Sequence, residues 1–198
     1  MQPNIAPAMP HLTPTEQRLL TQPDLHQARA QLLHKLEAAL LHLQEAAAAR
    51  YAPLQASLPP GTDMHGRLNK GEHYGPYPYQ VADVPRLFTK GGPWCTLRHM
   101  VVPGRYCTLQ LLVLGAPWQQ VKGRLQELPP GWQLATAEDP WAWDPEEPYM
   151  PPGDELPQSV ATRPWGKLAR WWQPQELEAF LQEAPAAGEA LLRSIFVP

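Results

Sequence analysis

Twenty-six prolines punctuate this chain of 198 residues, yet none of them, and no glycine, falls between residues 24 and 52. Proline inside a helix removes a backbone donor and collides with the preceding turn, so a gap this long marks where an uninterrupted helix can form. Within the gap Leu25, Ala28, Leu32, Leu36, Ala39, Leu43 and Ala46 recur every three or four residues, the period of one helix face. The spacing predicts one long amphipathic helix that stops before Pro53. Ahead of it, Thr13-Pro14-Thr15-Glu16 has the form of a capping box with proline at the first helical position, and predicts a short helix through Leu20. Residues 1–12 hold three prolines and little apolar pattern and read as a flexible N-terminal arm.

The prolines are also concentrated. Nine of the 26 lie between residues 129 and 164, overlapping a stretch (138–155) with seven acidic residues and no basic one. Residues 137–164 therefore read as a stiff, extended, acidic wrap. The chain is 43% hydrophobic and its eight tryptophans all fall between residues 94 and 172, which supplies a shared core. Residues 13–198 are expected to form a single α+β domain. The net charge of −3 argues against a phosphate-tracking surface, so no nucleic acid partner is expected. Two cysteines give no disulfide framework. Residues 1–12 carry neither Lys nor Arg nor an apolar run, so no secretory leader or membrane span is expected and the expected location is cytoplasmic.

Strand signals occupy the middle of the chain. Residues 80–88 read as an edge strand, because Pro85 cannot donate to a ladder. Residues 94–102 and 106–114 flank Pro103-Gly104-Arg105 and predict a hairpin. A two-residue loop would set Arg98 opposite Leu109. A three-residue loop pairs Cys95 with Val113, Leu97 with Leu111, His99 with Leu109 and Val101 with Cys107, leaving one histidine in an otherwise apolar face, and is preferred. Pro117 opens a helix carrying Trp118, Val121, Leu125 and Leu128, and residues 132–136 read as a short strand. From Pro174 a helix carries Leu177, Phe180 and Leu181, and a last helix spans 187–196 with a Glu189/Arg193 pair. This element order lacks regular βαβ alternation. It predicts an α+β fold: a long N-terminal helix on a small antiparallel sheet, a Pro/Trp-rich wrap and C-terminal helices.

The polar side chains that can carry chemistry concentrate in residues 65–86, read as a loop feeding the edge strand. In the functional reading Arg67, Lys70 and Arg86 bind an anionic group, Tyr74 and Tyr79 wall it, and Glu72, His73 and Asp83 complete a polar pocket. In the packing reading the rings cap the sheet and the charges pair internally, Asp83 with Arg86 for instance. Asp63, His65, His73 and His99 do not match zinc spacing, so no metal site is assigned, and no cofactor is expected. Cys95, Cys107 and His99 share the predicted apolar hairpin face, where buried thiols are inert. The basic and aromatic run Arg163-Pro164-Trp165-Gly166-Lys167-Leu168-Ala169-Arg170-Trp171-Trp172 reads as a tryptophan rim covering the sheet, with Lys167 and Arg170 facing solvent.

The run Leu68-Asn69-Lys70-Gly71-Glu72-His73-Tyr74, continuing to Asp83-Val84-Pro85-Arg86-Leu87-Phe88, resembles a segment N-[KR]-G-E-[NH]-Y-x-x-x-P-Y-x-x-x-D-x-P-R-x-F. That segment belongs to a conserved-hypothetical family of roughly 200-residue proteins from Bacteroidota, in which it precedes two strands. The resemblance covers residues 65–115 and implies no activity. It singles out Asn69, Lys70, Glu72, Tyr74, Tyr79, Asp83 and Arg86 as a family segment. Where that family carries aromatics in the first hairpin strand, this chain has Cys95, Arg98 and His99.

The leading functional expectation is a non-enzymatic binding or interaction module that uses the 65–86 segment or the tryptophan rim, with a protein or a small anionic ligand as partner. The alternatives are a small enzyme built on the 65–86 segment and a homodimer formed through the long helix.

Overall fold

A computed structural model describes residues 11–74, 77–153 and 155–197; the arm expected at 1–12 lies, but for its last two residues, outside them. Thr13 caps α1 (Pro14–Thr21) as the motif requires. Its hydroxyl accepts from the Glu16 amide at 3.2 Å, and the Glu16 carboxylate accepts from the Thr13 amide at 2.6 Å. The expected long helix is α2, Pro23–Tyr51. Two compact units meet within it, between Leu36 and Glu37.

In the first unit no described residue before Leu36 is buried, and Leu19, Leu20, Leu25 and Leu32 are exposed. In the second unit α2 buries Leu40, Leu43, Ala47 and Tyr51. The expected stripe is corrected accordingly: Ala39 and Ala46 bury too little apolar area to set the face, and Leu40 and Tyr51 set it instead.

The rest of the second unit is built on a seven-stranded antiparallel sheet. Its strands are β1 (Arg67–Tyr74), β2 (Tyr77–Phe88), β3 (Trp94–Val102), β4 (Tyr106–Leu114), β5 (Gln133–Ala135), β6 (Tyr149–Met150) and β7 (Trp165–Trp172), in the spatial order β1-β2-β3-β4-β7-β5-β6. Helices α3 (Ala116–Lys122), α4 (Gln158–Thr162) and α5 (Leu177–Phe196) complete the fold. The expected α+β class is the class observed. The β3–β4 hairpin has the three-residue loop and the four pairings derived from its sequence. Among the described residues, no helix is long and apolar enough to cross a membrane.

Four further expectations are corrected. The 65–86 segment is two paired strands rather than a loop, and β2 is an interior strand between β1 and β3. Its proline is tolerated because Val84 and Pro85 form a bulge opposite Leu97, between the Asp83–Arg98 and Arg86–Thr96 pairs. Residues 165–172 are a strand inside the sheet, so Lys167 is 1% exposed rather than solvated. The two C-terminal helices are one, running through a buried Pro185, because Phe180, Ala184, Leu191 and Leu192 are buried along its whole length.

The registers divide the sheet into two faces. One carries Cys95, Leu97, His99, Leu109, Leu111 and Leu168 and is covered by helices. A Cβ on Gly188 of α5 would collide with Tyr51 of α2 and Leu97 of β3, and one on Gly166 of β7 would collide with Trp118 of α3. The other face carries Asp83, Thr96, Arg98, Thr108, Gln110 and Lys167, and residues 141–143 of the acidic wrap lie over it.

Candidate functional site

The bulge at Pro85 decides which side chains meet. Asp83 and Arg86 are three residues apart, which in a regular strand puts them on opposite faces. The extra residue brings both to the wrap-covered face, opposite Arg98 and Thr96. Arg67 and Asn69 of β1 share that face through their pairing with Asp83 and Val81, as does Phe88, which pairs with Trp94.

Together these residues line a cleft of about 200 Å³ whose walls are Phe88, Trp94 and Trp141. Phe88 stacks on Trp94 at 5.2 Å between ring centroids, and Trp94 meets Trp141 at 5.4 Å. Phe88 and Trp141 are 47% and 41% exposed, so the aromatic wall opens to solvent. Among the described residues three guanidinium groups line the cleft, from Arg67, Arg86 and Arg98, against one carboxylate, Asp83.

Arg98 organises the floor. Its Nε donates to Asp83 Oδ1 at 2.7 Å and its Nη2 to Asp83 Oδ2 at 2.9 Å. This two-pronged geometry fixes the guanidinium plane. The plane lies over the Trp143 ring at 4.2 Å from the centroid. Its remaining nitrogen, Nη1, is buried without a hydrogen-bond partner among the described residues. Arg86 sits over Phe88 at 5.3 Å. Asp83 thus pairs with Arg98, not with Arg86 as the packing reading supposed.

The other residues singled out in the sequence separate. Tyr74 and Tyr79 pack on Trp143, at 5.7 and 6.1 Å between centroids, and the Tyr74 hydroxyl accepts from the Trp143 amide at 2.6 Å. They support the wrap rather than wall the cleft. Lys70 lies on the opposite face, 3.7 Å from Glu37. The side chains of Glu72 and His73 lie outside the described residues. Sequence reasoning missed Arg98, Trp94 and Trp141 as cleft residues. The preference for a register that keeps Arg98 off the apolar face was the one available signal, since it already sent that side chain to the other side.

The basic and aromatic run divides in the same way. Arg163 donates to the carbonyls of Ala135, Ala137 and Trp165 at 2.6–2.9 Å, and burial lowers its pKa to about 10; it is a clasp on the wrap. Lys167 Nζ donates to the Ala142 carbonyl, and burial lowers its pKa to about 8. Cys95 and Cys107 are free and buried, and burial raises both thiols to about 12, which keeps them protonated and inert.

Comparison of the chain with protein-family models, curated protein sequences and solved structures returns no match. The reading of its function rests on this geometry.

Proposed function

We propose that the protein is a binding module that takes a small anion carrying a flat ring in the cleft between β1, β2, β3 and the wrap. The observation that carries this reading is Arg98: a guanidinium clamped by Asp83 with Nη1 unpaired, in a cleft it shares with Arg67, Arg86 and the Phe88–Trp94–Trp141 wall. A buried donor without a partner costs about 1–3 kcal/mol, and an acceptor-bearing ligand relieves that cost. The described lining sums to +2 (three arginines less one aspartate), which favours a carboxylate or phosphate. The exposed indoles favour a ring beside it.

Binding fits better than catalysis. Asp83 is the only carboxylate among the described residues of the cleft, and both its oxygens are engaged by Arg98. It is not placed to accept a proton from a substrate.

Tryptophan fluorescence titration tests the reading, with phenyl phosphate, inorganic phosphate and benzyl alcohol as probes. Phenyl phosphate is expected to bind more tightly than either probe lacking one half of its chemistry. Arg86→Gln and Trp94→Ala should each weaken it about tenfold, the equivalent of one lost charge-assisted contact. Equal affinity for wild type and both variants, or no binding of phenyl phosphate, overturns the proposal.

A further inference from the structure

A second cleft, of opposite character, lies on the same sheet face, toward the end at which β1 turns into β2. Its volume is about 320 Å³ and its lining includes Tyr74, Tyr77, Tyr106, Arg105, Asp144 and Glu147. Tyr74 of its lining stacks on Trp143. Among the described residues three phenol rings and two carboxylates face one guanidinium, so the formal charge of the described lining is −1 (one arginine less two acids). Aromatic faces are electron-rich and attract cations, most strongly where carboxylates stand beside them.

The protein already places one cation here. Arg105 lies 5.1 Å from the Tyr77 ring centroid and reaches Asp144 at 2.8 and 3.0 Å. That pairing engages Asp144 and leaves Glu147 as the second acid of the cleft. A separate observation comes from Tyr106, which is 3% exposed yet has a hydroxyl with no hydrogen-bond partner among the described residues. A buried phenol normally finds a partner, and its oxygen can accept from an N–H donor.

We infer that this cleft binds a small organic cation that carries N–H donors, a primary ammonium or a guanidinium. Its charge is balanced by Glu147, its body is held against the tyrosine rings and one of its N–H groups is received by the Tyr106 hydroxyl. The cation belongs to a free amine or to a lysine or arginine side chain of another protein. The inference does not depend on the anion cleft, since the two share no lining residue among those described.

Calorimetric titration of the full chain with n-butylammonium, tetramethylammonium and a short lysine-containing peptide tests it. Butylammonium is expected to bind at least about threefold more tightly than tetramethylammonium, which has the same charge and no N–H. Tyr106→Phe should erase that preference while leaving tetramethylammonium binding in place, and Glu147→Gln should weaken both ions about tenfold. A peptide affinity above that of butylammonium identifies a protein side chain as the source; an equal or lower one identifies a free amine. No binding of any probe up to about 50 mM, equal affinities for the two ammonium ions in the wild type, or an unchanged affinity in Glu147→Gln overturns the inference.

Discussion

The two faces of the sheet solve different problems. Against the helices, the buried groups are nearly all apolar: Leu97, Leu109, Leu111 and Leu168 lie on the side that Tyr51, Trp118 and Phe180 cover, and among the described residues only Gln80 and His99 are buried and polar there. Beneath the wrap, Asp83, Thr96, Thr108, Gln110 and Lys167 are all buried. A fold that needed only stability would gain nothing from that second set, because each buried polar group must recover the hydration it loses. Recognition does need it, because directional donors fixed on a rigid sheet select a ligand's atoms. The helix side holds the fold together; the wrap side carries the proposed recognition.

Truncating one large aromatic on each side gives the widest separation. Phe180 is fully buried and packs edge-on against Trp172 at 5.2 Å. Phe180→Ala is expected to lower unfolding free energy by about 3–5 kcal/mol in urea denaturation. Trp143 is also buried, but its partners are Tyr74, Tyr79, Trp141 and Arg98 on the wrap side. Trp143→Ala should leave the global midpoint much closer to wild type and instead expose residues 137–148 to limited proteolysis, as local opening does. An equal loss of global stability in both variants would mean the wrap is as much core as the helices, and the comparison would fail.

The Asp83–Arg98 pair gives the next largest effect. The side chains are 4% and 15% exposed, so removing one charge strands the other in a poorly hydrated place. Asp83→Asn should cost about 3 kcal/mol, and the double variant Asp83→Leu with Arg98→Met should recover most of that. The double variant should still lose phenyl phosphate binding. Stability and recognition would thereby separate at a single pair, the behaviour expected of a group kept for its chemistry. A double variant no more stable than the single one would instead make the pair a structural necessity.

The helix side was legible in the sequence for physical reasons that fail on the other side. The β3–β4 register followed from period-2 burial, because one slipped residue would have placed Arg98 among leucines. The wrap side depends on events that no local pattern signals. Residues 67–74 lack β-branched side chains, so β1 is a strand only through its pairing with β2. Asp83 and Arg86 share a face only because of the bulge at Pro85. Lys167 looks solvated until β7 pairs with β4, far away in sequence. Of the residues singled out in the 65–86 segment, Arg67, Asp83 and Arg86 line one cleft. Trp94, Arg98 and Trp141 were not singled out, because only the folded sheet and wrap deliver them to the same cleft.

The smallest effects place the two faces in different pH windows. His99, on the helix side, is fully buried, with Nδ1 3.3 Å from the Ala82 carbonyl and Nε2 3.4 Å from the Tyr51 hydroxyl. Burial lowers its pKa from 6.5 to about 4. Between those values the unfolded chain binds more protons than the folded one, so stability falls as pH falls from 6.5 toward 4. Lys167, on the wrap side, is lowered by burial from 10.5 to about 8. Between 8 and 10.5 the unfolded chain again binds more protons, so this group's contribution to stability rises with pH across that window. Each change amounts to about 2 kcal/mol over two pH units. Urea denaturation from pH 5 to 10 should therefore show an acid limb that His99→Gln flattens and an alkaline rise that Lys167→Met flattens, each leaving the other limb in place. If either substitution removed both limbs, the two groups would report one cooperative core, and the division between a holding face and a binding face would have to be abandoned.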